Sequence, residues 1–188
     1  MKKLLLMLTT VLGLLFSQTA QADPYADTLA NFKRSPHTKV FFNNAYGYAV
    51  FPTIGKGGLG IGAAHGKGQV YRKGALVGRT SMTQLSIGFQ AGGQAYSQII
   101  FFQDKRAFDE FTSGNFEFGA GASAVALTIA AQAQAGTSGV SSSAGTDAEA
   151  TKQNKANYVK GMAVMTLAKG GLMYEAAIAG QKYNYKPL

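Results

Sequence analysis

AYGYAVFPTIGKGGLGIGAAHGKGQVYRKG, residues 45–74, reads as short strands separated by tight turns. Glycine-rich breaks at 55–58, 66–68 and 74 divide it into runs of five to ten residues, the natural length of strands. Pro52 has no N–H to give a ladder, which predicts an edge strand or a strand end there. Working toward the C-terminus, Leu85, Ile87, Phe89 and Ala91 alternate with Ser86, Gly88 and Gln90, a period of two. Gly92-Gly93 is then expected to turn the chain into a partner strand, Gln94–Phe102. Asp104 is a good N-cap for a helix at about 104–113 that carries Phe108 and Phe111 and ends at Gly114.

Beyond that helix, residues 115–136 read as one long strand, because Val125, Leu127, Ile129 and Ala131 alternate. Their alanine content leaves a helix over 120–136 open. Thr137–Asn157 is rich in Ser, Gly, Ala and Thr, lacks aromatic residues, and reads as a flexible loop. Tyr158–Leu167 and Leu172–Tyr183 close the fold as two strands flanking a turn at Lys169-Gly170-Gly171.

Toward the N-terminus, Tyr25, Leu29 and Phe32 fall on one helical face. Ser35-Pro36 breaks that helix and restarts a second short one carrying Val40, Phe41 and Phe42. Lys2 and Lys3, the apolar run Leu4–Phe16 and the small residues of Ala20-Gln21-Ala22 make a cleavable signal peptide, 1–22. The mature chain then runs 23–188 as a single domain and is periplasmic or secreted. The absence of Cys excludes disulfides, a lipidated cysteine, thiolate metal sites and thiol catalysis. The fold class is α+β: a strongly coiled antiparallel β-sheet or small barrel, with short N-terminal helices and one helix near 104–113.

Charge supplies the functional signal. The chain carries 18 Lys and Arg against nine Asp and Glu, and Thr28–Gln103 holds eight basic residues and no acidic one. Such a surface favours an anionic partner. The candidate anion-binding residues are Lys56, Lys67, Arg72, Lys73, Arg79 and Lys169. Four of them, Lys56, Lys67, Lys73 and Lys169, neighbour a glycine at an expected turn, where an ammonium group and accessible backbone N–H groups suit phosphate oxygens. In a simple meander, Lys56 and Arg72-Lys73 would share one end of the sheet, and Lys67 and Arg79 the other.

Enzymatic motifs fail on spacing. GIGAAHGKG (60–68) has Ile61 where a phosphate loop needs its first Gly, and Gly68 where it needs Ser or Thr. Two histidines, His37 and His65, are too few for a metal centre, and there is no Gly-x-Ser-x-Gly elbow. No catalytic residue, metal, cofactor or nucleic-acid partner is expected.

The run Ala45–Gly119 resembles a SYLF domain, a lipid-binding module shared by eukaryotic actin-patch proteins and many exported bacterial proteins. The resemblance is carried by AYGYAVFPTIGKGGLGIG (45–62), GKGQVY (66–71), SIGFQAGGQAYSQIIFF (86–102) and DKRAFDEFTSGNFEFGAGAS (104–123). AKGGLMYEAAIAGQKYNY (168–185) is similar to the family's closing strands. It implies binding of anionic lipid, since eukaryotic relatives bind phosphoinositides and some bind actin. The chain departs from those relatives in having no Trp, which they often carry near Val77–Met82. No family functional residue maps onto a single position. For an exported protein the available anions are phosphatidylglycerol, cardiolipin and lipopolysaccharide phosphates. The expected function is therefore non-catalytic binding of anionic phospholipid headgroups at a membrane surface, by peripheral contact. The alternative is a structural or protein-interaction module of the cell envelope whose basic charge only tunes solubility. A third reading is a small outer-membrane barrel.

Overall fold

A computed structural model of the chain describes residues 23–59, 61–87, 92–119, 126–128, 158–169 and 178–188. The signal peptide expected at 1–22 and the loop expected at 137–157 lie outside the described residues. Two helices open the chain, α1 (Pro24–Arg34) and α2 (Pro36–Asn44). Asp23 caps α1 by accepting the Tyr25 N–H at 2.9 Å. Each helix has Pro in its first turn, where a missing N–H costs nothing. The Thr38 hydroxyl donates to the carbonyls of Phe32 and Ser35 and locks the corner between them.

The strands are β1 (Gly47–Leu59), β2 (Ile61–Arg72), β3 (Ala75–Ile87), β4 (Gly92–Phe102), β5 (Phe116–Glu117), β6 (Ala126–Thr128), β7 (Met162–Lys169) and β8 (Lys182–Pro187). Helix α3 (Lys105–Phe111) follows β4, and the Asp104 carboxylate caps it by accepting the Ala107 N–H at 2.8 Å. All eight strands join one sheet in the order β5-β8-β3-β2-β1-β4-β7-β6. Every pair is antiparallel except β6 with β7.

The sheet curls into a half-barrel. Strands β4 and β8 are four places apart, about 19 Å on a flat sheet. Yet Gln98 Nε2 on β4 donates to the Tyr183 hydroxyl on β8 at 2.7 Å. The concave side holds the larger core, including Phe51, Ile54, Met82, Ile100, Phe102 and Tyr183, and α3 packs Phe108 and Phe111 onto it. On the convex side Phe32 of α1 and Phe41 of α2 pack with Ile99, Phe101 and Met165. The Phe41 and Phe101 rings stack with centroids 5.4 Å apart. Each fully buried phenylalanine contributes about 1.5–3 kcal/mol.

Polar side chains sit inside the concave core and hydrogen-bond to one another, with Gln98 Oε1 left without a partner among the described residues. Gln98 Nε2 also donates to Gln181 Oε1 at 3.1 Å, and Gln181 Nε2 donates to the Tyr96 hydroxyl at 3.2 Å. Gln84 Nε2 donates to the Ala179 carbonyl at 2.9 Å. Burial pushes the Tyr96 hydroxyl up to about 12 and raises Tyr183 well above the ordinary tyrosine value. Both groups therefore stay protonated.

Several expectations from the sequence are corrected. The glycines at 55–58 and 66–68 do not break strands, because β1 and β2 run 13 and 12 residues straight through them. Gly66 and Gly68 point into the barrel, where a Cβ would stand 2.6 Å from Ile54 Cγ1 and 2.7 Å from Phe51 Cδ1. They are glycine so that two large side chains can lie against the backbone. The turn at 74 is real: Lys73 and Gly74 have φ of 50° and 81°, as a two-residue hairpin loop requires. Pro52 lies in the central strand β1 instead of at an edge, and the ladder admits it through a bulge spanning Val50–Ile54.

Strand β4 forms as expected but does not pair with β3; its neighbours are β1 and β7. Its residues Ile99 to Phe102 are buried on both faces, which demands a central strand covered on both sides. The alternation at 85–91 also faces outward where it is described: Leu85 is exposed and Gln84 buried. Residues 115–136 are not one strand, since β5 and β6 lie at opposite edges of the sheet and Phe118–Gly119 between them is not strand. At 158–161 a turn with positive φ at Lys160 and Gly161 precedes β7. Strands β7 and β8 are not hairpin partners, and Lys169 is the last residue of a strand.

Candidate functional site

Helices α1 and α2 pack over β1, β4 and β7 and leave exposed much of the outer side of β2, β3 and β8, including His65, Lys67, Arg79, Thr83 and Lys186. Along β2 the alternation is strict: Gly62, Ala64, Gly66 and Gly68 go in, and Ala63, His65 and Lys67 come out. Register then assembles the site. Lys67 stands opposite Ser81, which stands opposite Asn184; Gln69 stands opposite Arg79, which stands opposite Lys186. Arg79 and Lys186 are thus direct cross-strand neighbours of like charge, an arrangement that destabilises a sheet. Lys67 is the diagonal neighbour of Arg79, about 7–8 Å away by strand geometry.

These three cations line a shallow groove of about 470 Å³ with Gln69, Ser81, Asn184 and Tyr185, and Tyr25 at the start of α1 forms its wall. Burial raises the pKa of Tyr25, the nearby Arg79 charge opposes that rise, and the Asp23 carboxylate that caps α1 adds to it. Among the described residues no carboxylate lines the groove. The nearest acidic side chain on its strands' ladder, Glu117, is engaged with Lys182 at 3.4 Å. An arginine fork, two ammonium groups and neutral donors suit a multi-oxygen anion such as a phosphate ester.

The six sequence candidates divide among three places. Lys67 and Arg79 share the groove. Lys169 extends along the same face, its Nζ donating to Thr53 Oγ1 at 3.0 Å, and Thr53 is the cross-strand partner of Lys67. Lys56 is half-buried and alternates with the exposed Gly55 and Gly57, which puts it on the concave side with Ile54. Arg72 and Lys73 lie at the β2–β3 hairpin, the opposite end of β1 from Lys56, so the expected pairing of Lys56 with Arg72-Lys73 is not formed. Lys73 instead borders a second groove of about 600 Å³ with Lys33, Lys39, Phe42 and Tyr48. There Lys33 Nζ sits 5.5 Å from the centre of the Phe42 ring.

Sequence reasoning missed Lys186, Tyr25, Lys33 and Lys39. A signal for Lys186 existed: Lys182, Asn184 and Lys186 alternate with Tyr183 and Tyr185, the pattern of a strand with one polar face.

Fold and site define an α+β half-barrel, helix-covered over part of its convex face and basic over the rest. Its kinship is specific. A family model described as "Ysc84: Las17-binding protein actin regulator" matches residues 83–184, and the chain belongs to this Ysc84, or SYLF, family. Over 156 residues it is 35% identical to beta cell expansion factor A of Aeromonas veronii, covering 81% of this chain and 50% of that protein. The chain thus spans about half the length of that relative. The family match includes Gln84, Gln98, Gln181 and Tyr183 of the interior network. It does not reach Lys67, Arg79 or Lys186, so the groove rests on its own geometry.

Proposed function

We propose that the protein is a non-catalytic binder of anionic phospholipid headgroups, acting at a membrane surface through Lys67, Arg79 and Lys186, with Lys169 beside them. The observation that carries this reading is the direct opposition of Arg79 and Lys186, with Lys67 on the diagonal and, among the described residues, no carboxylate in the lining. Like charges held side by side cost stability, and an arriving phosphate relieves that cost. The export signal of residues 1–22 supports a mature protein beginning at Asp23, outside the cytoplasm, where phosphatidylglycerol, cardiolipin and lipopolysaccharide phosphates are the anions at hand. Intact mass of the purified protein checks the cleavage.

Flotation with phosphatidylglycerol or phosphatidylcholine vesicles tests the main reading. Binding should need the anionic lipid and fade at 1 M salt, where the Debye length is about 3 Å. The family description names a protein, Las17, and actin regulation, which favours a second reading as a protein-interaction module. Equal binding to both vesicle types, or none to either, would support that reading instead.

A further inference from the structure

The convex face that carries the groove ends in an apolar tip. Ile61 opens β2 and Leu85 lies near the end of β3, and they are 71% and 80% exposed. Leu85 stands directly opposite Ala63, two residues from Ile61 on the same outer side of β2. On the neighbouring strand Gly57 faces Ala63 and Gly55 faces His65, so the β1 residues opposite those two positions add no side chain there.

The ranks behind the tip are graded. Next come His65, Thr83 and Lys182, then Lys67, Ser81 and Asn184, then Gln69, Arg79 and Lys186. At about 3.3 Å per residue, Leu85 lies roughly 7 Å beyond the Thr83 rank and roughly 13 Å beyond the Lys67 rank. An interfacial element buries its apolar part about 5–10 Å into the headgroup–acyl boundary. A tip at that depth brings His65 to the phosphate layer, with the Lys182–Glu117 ion pair at the edge of the same rank, and leaves Lys67 within reach of it along its flexible stem.

We infer that Ile61, Ala63 and Leu85 form an insertion tip that enters the headgroup–acyl boundary of an anionic membrane while Lys67, behind it on the same face, reaches the phosphates. This rests on the lipid-surface reading and adds an apolar term to it. Among the described side chains, two aliphatic groups and one methyl offer far less than the about 800 Å² per partner that a stable protein interface buries. An anionic bilayer, by contrast, presents hydrocarbon and phosphate in the order in which this face presents its partners.

The chain has no Trp, so Leu85→Trp creates a sole indole reporter. The mature protein from Asp23 carrying it is mixed with phosphatidylcholine–phosphatidylglycerol vesicles containing brominated acyl chains. The expected result is a blue shift and quenching, strongest for bromine near the carbonyl end. Val40→Trp, at an exposed position on α2, should stay unshifted. The double variant Ile61→Asp, Leu85→Asp should keep its circular dichroism and lose about tenfold or more in vesicle partition. Vesicle binding with an unshifted, unquenched Trp at position 85 overturns insertion and leaves headgroup binding standing. A wild type that does not float with anionic vesicles overturns both. A blue shift without vesicles that grows with protein concentration overturns insertion in favour of a second copy of the chain on the tip.

Discussion

Neutralising the groove should cost binding and leave the fold intact. The perturbation is Lys67→Gln, Arg79→Gln and Lys186→Gln in one chain, three exposed positions on neighbouring strands. Each cation near an anionic surface is worth about 1 kcal/mol, so the triple change removes about 3 kcal/mol. At about 1.4 kcal/mol per decade, vesicle affinity should fall by roughly 100-fold. The same change removes the cross-strand opposition of Arg79 and Lys186, so the melting temperature should hold or rise slightly. Flotation at about 0.1 M salt, where the Debye length is about 10 Å, keeps the cluster acting as one patch. Arg72→Gln with Lys73→Gln at the hairpin is the comparison. If the triple variant loses less than about threefold, or the hairpin pair loses as much per charge, the groove is not the contact surface and the reasoning fails.

Other consequences concern the fold and its chemistry. Gly68→Ala should destabilise by about 1–3 kcal/mol in urea unfolding, because its Cβ meets Phe51 and Thr80 Cγ2, whereas Gly55→Ala, with nothing within 4 Å, should be near neutral. Tyr96 titrates at about 12 when folded against 10.0 when unfolded, so the unfolded chain releases its proton first as pH rises. The stability present below pH 10 should therefore be lost progressively toward pH 12, on the order of 2 kcal/mol from this group, and Tyr96→Phe should flatten that part of the melting profile. Asp104→Ala should cost about 1 kcal/mol by removing the cap of α3, read from the urea midpoint.

The sequence reveals local decisions better than distant ones. Helices α1, α2 and α3 were legible because the Tyr25–Leu29–Phe32 spacing, Ser35-Pro36 and Asp104 are local signals that act within a turn or two of their own position. The hairpin at Lys73-Gly74 was legible for the same reason. Gly66 and Gly68 were misread because glycine serves both a turn and a close approach, and only the partner strand's Ile54 and Phe51 decide between them. The outward face of Leu85 was hidden because the barrel interior there is polar, lined by Gln84, Gln98 and Gln181, so hydropathy does not mark the inside. The basic site was half legible. Lys67 and Arg79 stand in the acid-free stretch, but Lys186 reaches them only through the β3–β8 register, which no local pattern encodes.

The most direct test is to titrate the isotope-labelled protein with a short-chain, soluble phosphatidylglycerol and follow backbone amide shifts, with the phosphatidylcholine analogue as reference. The account predicts saturable shifts that cluster at Lys67, Gln69, Arg79, Ser81 and Lys186 for the anionic lipid and are absent for the neutral one. Shifts centred on Lys33, Lys39 and Lys73 instead, or the same shifts with both lipids, would contradict it.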